Sequence, residues 1–161
     1  MKNIYFLGGG NMCAALLSGL KADGGLSLWV AEQNPERQTI LRQQFDITVE
    51  NTLPVLTADD VLLLAVKPQD MQKALSSVRS NGALVLSIAA GLSCDTLSKW
   101  LGGTRRIVRI MPNTPAQIAM GMAGLFADTA VSADDKALAQ RILNAVGKTL
   151  WVKNEDDLHT V

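Results

Sequence analysis

The 161-residue sequence predicts an α/β fold: a mostly parallel, doubly wound sheet with helices on both faces. Three observations predict it. Apolar, β-prone runs alternate with helical patterns along the chain, the order that a parallel sheet with crossover helices requires. The run Val61-Leu62-Leu63-Leu64-Ala65-Val66 is apolar throughout, as expected of a central strand covered on both faces. The chain also opens as a strand over residues 4–7, the turn Gly8-Gly9-Gly10, and an Ala/Leu-rich helical pattern from Asn11 or Met12 to about Leu20.

That opening reads Gly8-x-Gly10-x-x-Cys13, the spacing of a dinucleotide-binding βαβ unit, and makes the predicted fold Rossmann-type. Gly8 suits the tight turn. Gly10 lets the backbone approach a pyrophosphate where any Cβ would intrude. Cys13 is small enough for the third position, where helix packs on strand. Amides at the helix N-terminus, together with its dipole, would hold the phosphates.

Asp23-Gly24-Gly25 then breaks the pattern, and residues 26–31 form the second strand, closed by Glu32-Gln33-Asn34. Asn34 is a good N-cap and Pro35 a good first helical residue, so a helix follows with Ile40, Leu41 and Phe45 on its inner side. A short strand over 47–49 precedes the central strand 61–66, which ends in Lys67-Pro68-Gln69-Asp70. The next helix runs through Met71, Ala74, Leu75 and Val78. The unit repeats as a strand over 83–88, the small-residue turn Ala89-Ala90-Gly91 and a helix over 93–101 capped by Ser93. A strand over 105–110 ends in Met111-Pro112-Asn113-Thr114-Pro115. A strand over 122–127 follows, then a helix from 132 through Leu138, Ile142 and Val146 with Gly147 at its end, and a last strand over 149–153. The last strands are the ones open to an antiparallel direction. No linker divides the chain, so residues 1–153 are expected as one nucleotide-binding domain and 154–161 as the start of a further helix.

Composition narrows the function classes. Hydrophobic residues at 48% and charged ones at 19% describe a globular protein, and 15 basic against 15 acidic residues leave no field to attract nucleic acid or an anionic membrane. Cys13 and Cys94 are isolated, without metal-ligand spacing or a disulfide framework, which suits a reducing cytosol. No apolar run approaches the ~20 residues that span a bilayer, and the N-terminus lacks a signal peptide's pattern. The expected location is cytoplasmic, with no metal site.

Ligands of such sheets bind outside the carboxyl ends of the strands, near the point where strand order reverses. Three loops there are unusual: Ala65-Val66-Lys67-Pro68, Ala89-Ala90-Gly91 and Met111-Pro112-Asn113-Thr114-Pro115. With the glycine loop they are expected to line one crevice, the prolines stiffening it by fixing φ. Taken with Phe6-Leu7-Gly8-Gly9-Gly10-Asn11-Met12, these motifs have the order and spacing of the pyrroline-5-carboxylate reductases, which the chain resembles over nearly its whole length.

The resemblance implies an oxidoreductase that reduces the C=N bond of 1-pyrroline-5-carboxylate to give L-proline, the last step of proline biosynthesis. It further implies a homo-oligomer formed through a helical C-terminal domain that this chain would lack, and hence poor activity of these residues alone. By position it implicates Leu7, Gly8, Gly9, Gly10, Asn11 and Met12 in pyrophosphate binding and Asn34 near the adenosine ribose. It places Asn51, Ala65, Val66, Lys67, Pro68, Ala89, Ala90 and Gly91 along the cofactor, and Asn113 and Thr114 near nicotinamide and substrate, in positioning roles.

The residues themselves leave the cofactor open. Glu32 sits where an acid would bind the ribose hydroxyls of NADH, whereas Asn34 and Arg37 sit where they could receive the 2′-phosphate of NADPH. The resemblance favours NADPH, with NADH also used. Acid candidates are scarce: His159, the one histidine, reads as a surface residue, Lys67 as a phosphate-steering or merely solvated lysine, and Cys94 as packing. A cyclic imine is protonated by water before it binds, so catalysis here would be positioning. The alternatives are another dehydrogenase, of β-hydroxy acid or prephenate type, and a non-catalytic dinucleotide-binding regulatory module.

Overall fold

A computed structural model describes residues 2–112 and 121–160. Its elements are β1 (Lys2–Leu7), α1 (Asn11–Leu20), β2 (Leu26–Ala31), α2 (Pro35–Phe45), β3 (Thr48–Glu50), β4 (Val61–Leu64), α3 (Pro68–Leu75), β5 (Leu84–Ser87), α4 (Cys94–Trp100), β6 (Ile107–Pro112), β7 (Gly121–Ala127), α5 (Ala133–Leu143) and β8 (Gly147–Trp151), then a 3-10 helix, Glu155–Thr160. The strands form one sheet in the order β3-β2-β1-β4-β5-β6-β7-β8. From β3 to β6 all neighbours are parallel; β7 runs antiparallel to β6, and β8 follows β7 in parallel. Strand order reverses between β1 and β4, which is therefore the switch point. The expected doubly wound, mostly parallel sheet is borne out.

Alternation along each strand feeds two cores. Ile4 and Phe6 of β1, Val61 and Leu63 of β4, and Leu84 and Leu86 of β5 face α1, α2 and α5. Leu62 and Leu64 of β4 and Val85 of β5 face α3 and α4, where Met71, Leu75, Cys94 and Leu97 are buried. Val61 to Leu64 are all fully buried, as a central strand with helices on both sides must be.

The helix starts follow local chemistry. Asn34 accepts from the Glu36 and Arg37 amides at the head of α2, Ser93 from the Thr96 amide at α4, and Ser132 shares a reciprocal capping box with Asp135 at α5. Some expectations shift. Ile40 is 46% exposed, because Leu41 and Phe45 carry the buried face of α2 and Ile40 turns off it. Val78 lies beyond α3, which ends at Leu75, and Gly147 opens β8 rather than closing α5.

Candidate dinucleotide site

The carboxyl ends of the central strands are tied at one edge. The Gly8 amide donates to the Ala31 carbonyl at 2.9 Å, Ala65 to Leu7 at 2.9 Å, and Ile88 to Leu64 at 3.2 Å. This brings the glycine loop, residues 65–67 and the turn at 88–91 to the same side of the sheet. A cavity of about 670 Å³ opens there, of the size that ligand sites occupy. Its floor is Leu7, Gly8, Gly9 and Gly10. One wall is Glu32 and Gln33 with the β3–β4 connection from Asn51 to Pro54, and the other is Ala65, Val66 and Lys67 with the polar side of α3.

The three glycines have three different surroundings. Gly8 has φ of +100°, and a Cβ on it would stand 2.9 Å from the Ala65 carbonyl oxygen, so the fold itself demands glycine. A Cβ on Gly9 would come within 2.7 Å of Leu41 Cδ1 and 3.0 Å of Glu32 Oε1, so those two side-chain ends would have to shift to admit it. Gly10 is different. Its φ is −75°, which any residue adopts, and a Cβ there would meet nothing within 4 Å among the described residues. Nothing among the described residues explains that glycine, whereas a bound phosphate would.

Gly10 is also the N-cap of α1, and it supplies no side-chain cap to the first-turn amides. Lys67, the N-cap of α3, supplies none either, while α2, α4 and α5 are capped by Asn34, Ser93 and Ser132. The two uncapped helices follow β1 and β4, the strands flanking the switch point. Open amides at the positive end of a helix dipole are what an anionic ligand requires. Around the cavity three cations, Lys67, Lys73 and Arg79, stand against two carboxylates, Glu32 and Asp70. The residues present therefore fit a dinucleotide.

Leu7, Gly8, Gly9, Gly10, Glu32, Asn51, Ala65, Val66 and Lys67 line the cavity together. Asn11 and Met12, in the first turn of α1, and Pro68, the first residue of α3, adjoin lining residues in the chain but do not line it. Ala89, Ala90 and Gly91 follow β5, one strand further along, and do not line it. Asn113 and Thr114 lie outside the described residues. Asn34 and Arg37 are turned toward the protein: Asn34 caps α2, and the half-buried Arg37 donates from Nε to the Gly9 carbonyl and from Nη2 to the Gly10 carbonyl at 3.2 Å. Glu32 accepts from the Gly9 amide at 3.0 Å and the Asn34 amide at 3.1 Å. Buried Gln38 joins the Glu32 carbonyl to the Asn51 side chain.

Sequence reasoning missed the α3 wall, Asp70, Lys73 and Ala74. Their spacing of three and four residues marks one helix face, a signal that the apolar face, Met71 and Leu75, overshadowed. Neither cysteine belongs to the chemistry. Burial pushes the Cys13 thiol up to about 12, and burial followed by the nearby Glu155 carboxylate does the same to Cys94. Among the described residues no group of His, Cys, Asp or Glu is placed to hold a metal, and no helix is long and apolar enough to cross a membrane.

A parallel sheet with its switch point at a glycine loop, an uncapped helix and a cation-rich cleft defines a Rossmann-type nucleotide-binding domain. The chain belongs to the family described as NADP oxidoreductase, coenzyme F420-dependent, whose model matches residues 3–91. It is 43% identical to the pyrroline-5-carboxylate reductase of Pasteurella multocida, over 99% of this chain and 62% of that protein. The structure is similar to that of the pyrroline-5-carboxylate reductase of Coxiella burnetii, with a TM-score of 0.83 and 34% identity over 98% of this chain and 61% of that one. A Plasmodium falciparum pyrroline carboxylate reductase with NADP bound shares the fold at a TM-score of 0.75 and 23% identity, over 96% of this chain and 59% of that one. These similarities bear out the resemblance carried by the motifs. The chain thus spans about three-fifths of the length of these relatives.

Proposed function

We propose that this chain is the cofactor-binding part of an enzyme that reduces 1-pyrroline-5-carboxylate to L-proline, using NADPH, with NADH also accepted. The observation that carries the reading is Gly10, a glycine with unrestricted backbone and empty space beside it, at an uncapped helix N-terminus on the floor of the cleft. The cofactor assignment draws support from the NADP held by the Plasmodium relative, and the substrate from relatives 40% or more identical over 99% of this chain. A reduced nicotinamide held in the cleft would supply a hydride to the imine carbon, the C=N π pair passing to nitrogen.

The protein's part is positioning. Open amides of Asn11 and Met12 hold the pyrophosphate, Gly10 leaves it room, and Ala65, Val66 and Lys67 border the dinucleotide. Asn113 and Thr114, with the turn at Ala89, Ala90 and Gly91, orient nicotinamide and imine. The imine nitrogen takes its proton from water before binding, so no dedicated acid is required. We further place residues 1–153 as the nucleotide domain, 154–161 as the start of a helix leading to a dimerising C-terminal domain, and the enzyme in the cytoplasm. Two measurements test the reading: titration of this chain with NADPH, and pyrroline-5-carboxylate-dependent NADPH oxidation by the full-length enzyme. Absence of NADPH binding, or turnover of a β-hydroxy acid or prephenate instead, would overturn it.

A further inference from the structure

We propose that Glu32 and Arg37 are positioning residues that brace the glycine loop for NADH and NADPH alike, and are not readers of the 2′-phosphate. The inference rests on the dinucleotide-binding reading above. By position alone, an acid and an arginine after β2 would be the residues that tell the two cofactors apart. Their side chains are engaged elsewhere.

The contacts close into a ring. The Gly9 amide donates to Glu32 Oε1 at 3.0 Å, and the Asn34 amide donates to Glu32 Oε2 at 3.1 Å. The Arg37 amide donates to Asn34 Oδ1 at 3.1 Å, and the Arg37 guanidinium returns to the loop, on the Gly9 and Gly10 carbonyls. Gly9 is thus held at its amide by a carboxylate and at its carbonyl by a guanidinium. A Cβ on Gly9 would stand 3.0 Å from Glu32 Oε1 and 3.3 Å from Glu32 Cβ, so the loop sits close against this brace.

Two consequences follow from charge and geometry. Both Glu32 oxygens and two of the three Arg37 nitrogens have partners, so gripping a 2′-phosphate with the guanidinium fork would require leaving the loop. The opposite charges also offset each other beside the loop, so the phosphates meet the α1 amides without an uncompensated carboxylate nearby. Removing Arg37 would loosen the loop and expose the Glu32 charge, and both effects act on the pyrophosphate that NADH and NADPH share.

The test is titration of this chain and its variants with NADPH and NADH, with thermal melting to confirm folding. Arg37→Ala should weaken both cofactors by about tenfold or more, with the NADH-to-NADPH ratio of Kd unchanged within about twofold. Arg37→Lys keeps the charge but cannot fork across two carbonyls, and should weaken both as well. Glu32→Gln keeps an acceptor for the Gly9 amide and should leave the ratio where it was. Loss of NADPH affinity alone on removing Arg37, a ratio shifted by tenfold in Glu32→Gln, or unchanged affinities throughout would each overturn the brace. If the unmodified chain binds neither cofactor, the functional reading falls first and the brace with it. Binding by the unmodified chain with cofactor-selective variants refutes the brace alone.

Discussion

Replacing Gly10 separates what the fold needs from what a ligand needs. The φ of −75° suits any residue, and an added Cβ would meet nothing within 4 Å among the described residues. Alanine there restricts the unfolded chain, which favours folding by about 0.4–1 kcal/mol. It is also a poorer N-cap than glycine, a loss of similar size, so the net change in stability should stay within about 1 kcal/mol. Binding should respond very differently. A methyl group, and still more the three carbons of valine, would occupy the place of the phosphate and push it off the first-turn amides. Hydrogen bonds to a charged group are worth about 1.5–3 kcal/mol each, so losing two should raise the Kd for NADPH by at least about 100-fold. Gly8→Ala is the counterpart, because its φ of +100° and the 2.9 Å approach to the Ala65 carbonyl make the strain intramolecular. It should cost about 1–3 kcal/mol of stability whatever the ligand. Urea unfolding reports stability and isothermal titration reports binding. A folded Gly10→Val chain with wild-type NADPH affinity would refute the reasoning, and so would a Gly10→Ala chain destabilised as much as Gly8→Ala.

Other outcomes follow from individual contacts. Gly19→Ala would place a Cβ 2.4 Å from the Ala145 carbonyl, so overpacking of about 1–3 kcal/mol should outweigh the ~1 kcal/mol that alanine gains over glycine in a helix, lowering the urea midpoint; a raised midpoint would contradict it. Arg109 is buried at 4% exposure and donates to Glu155 Oε2 at 2.8 Å, so Glu155→Ala should strand a buried charge and cost about 3 kcal/mol, against a smaller loss for Glu155→Gln; equal losses would argue against the ion pair. The Arg106 hydrogen bonds hold the Asp135 carboxyl below its ordinary 3.8. A depressed pKa in the folded state contributes stability that is present above the unfolded value and is lost as pH falls through the folded one. Asp135→Asn should therefore lower stability near neutrality and flatten its decline below pH 3.8; an acid limb identical to that of the unmodified chain would refute the pairing.

Much of this molecule was legible in the chain because its signals are local. Asn34 before Pro35 starts α2, Ser93 starts α4, and Ser132 with Asp135 starts α5, each through hydrogen bonds made within three residues. The all-apolar 61–64 run needed only its own composition to place it in the centre of a parallel sheet. Glycines between a strand and a helix located the floor of the cleft for the same reason.

What the sequence by itself could not decide were matters of long-range geometry. The reversal of β7 and β8 depends on how the chain returns to the sheet, and strands of either direction share the same alternation. Arg109, inside the run Ile107-Val108-Arg109-Ile110, finds its partner Glu155 46 residues away, a pairing that no periodicity encodes. The α3 wall joined the site because β4 lies next to β1, which sets a polar helix face opposite the end of β2. The three glycines look alike in sequence. Only the neighbours brought up by folding, the Ala65 carbonyl, Leu41 with Glu32, and open space, distinguish a turn, a packing contact and a place left for phosphate.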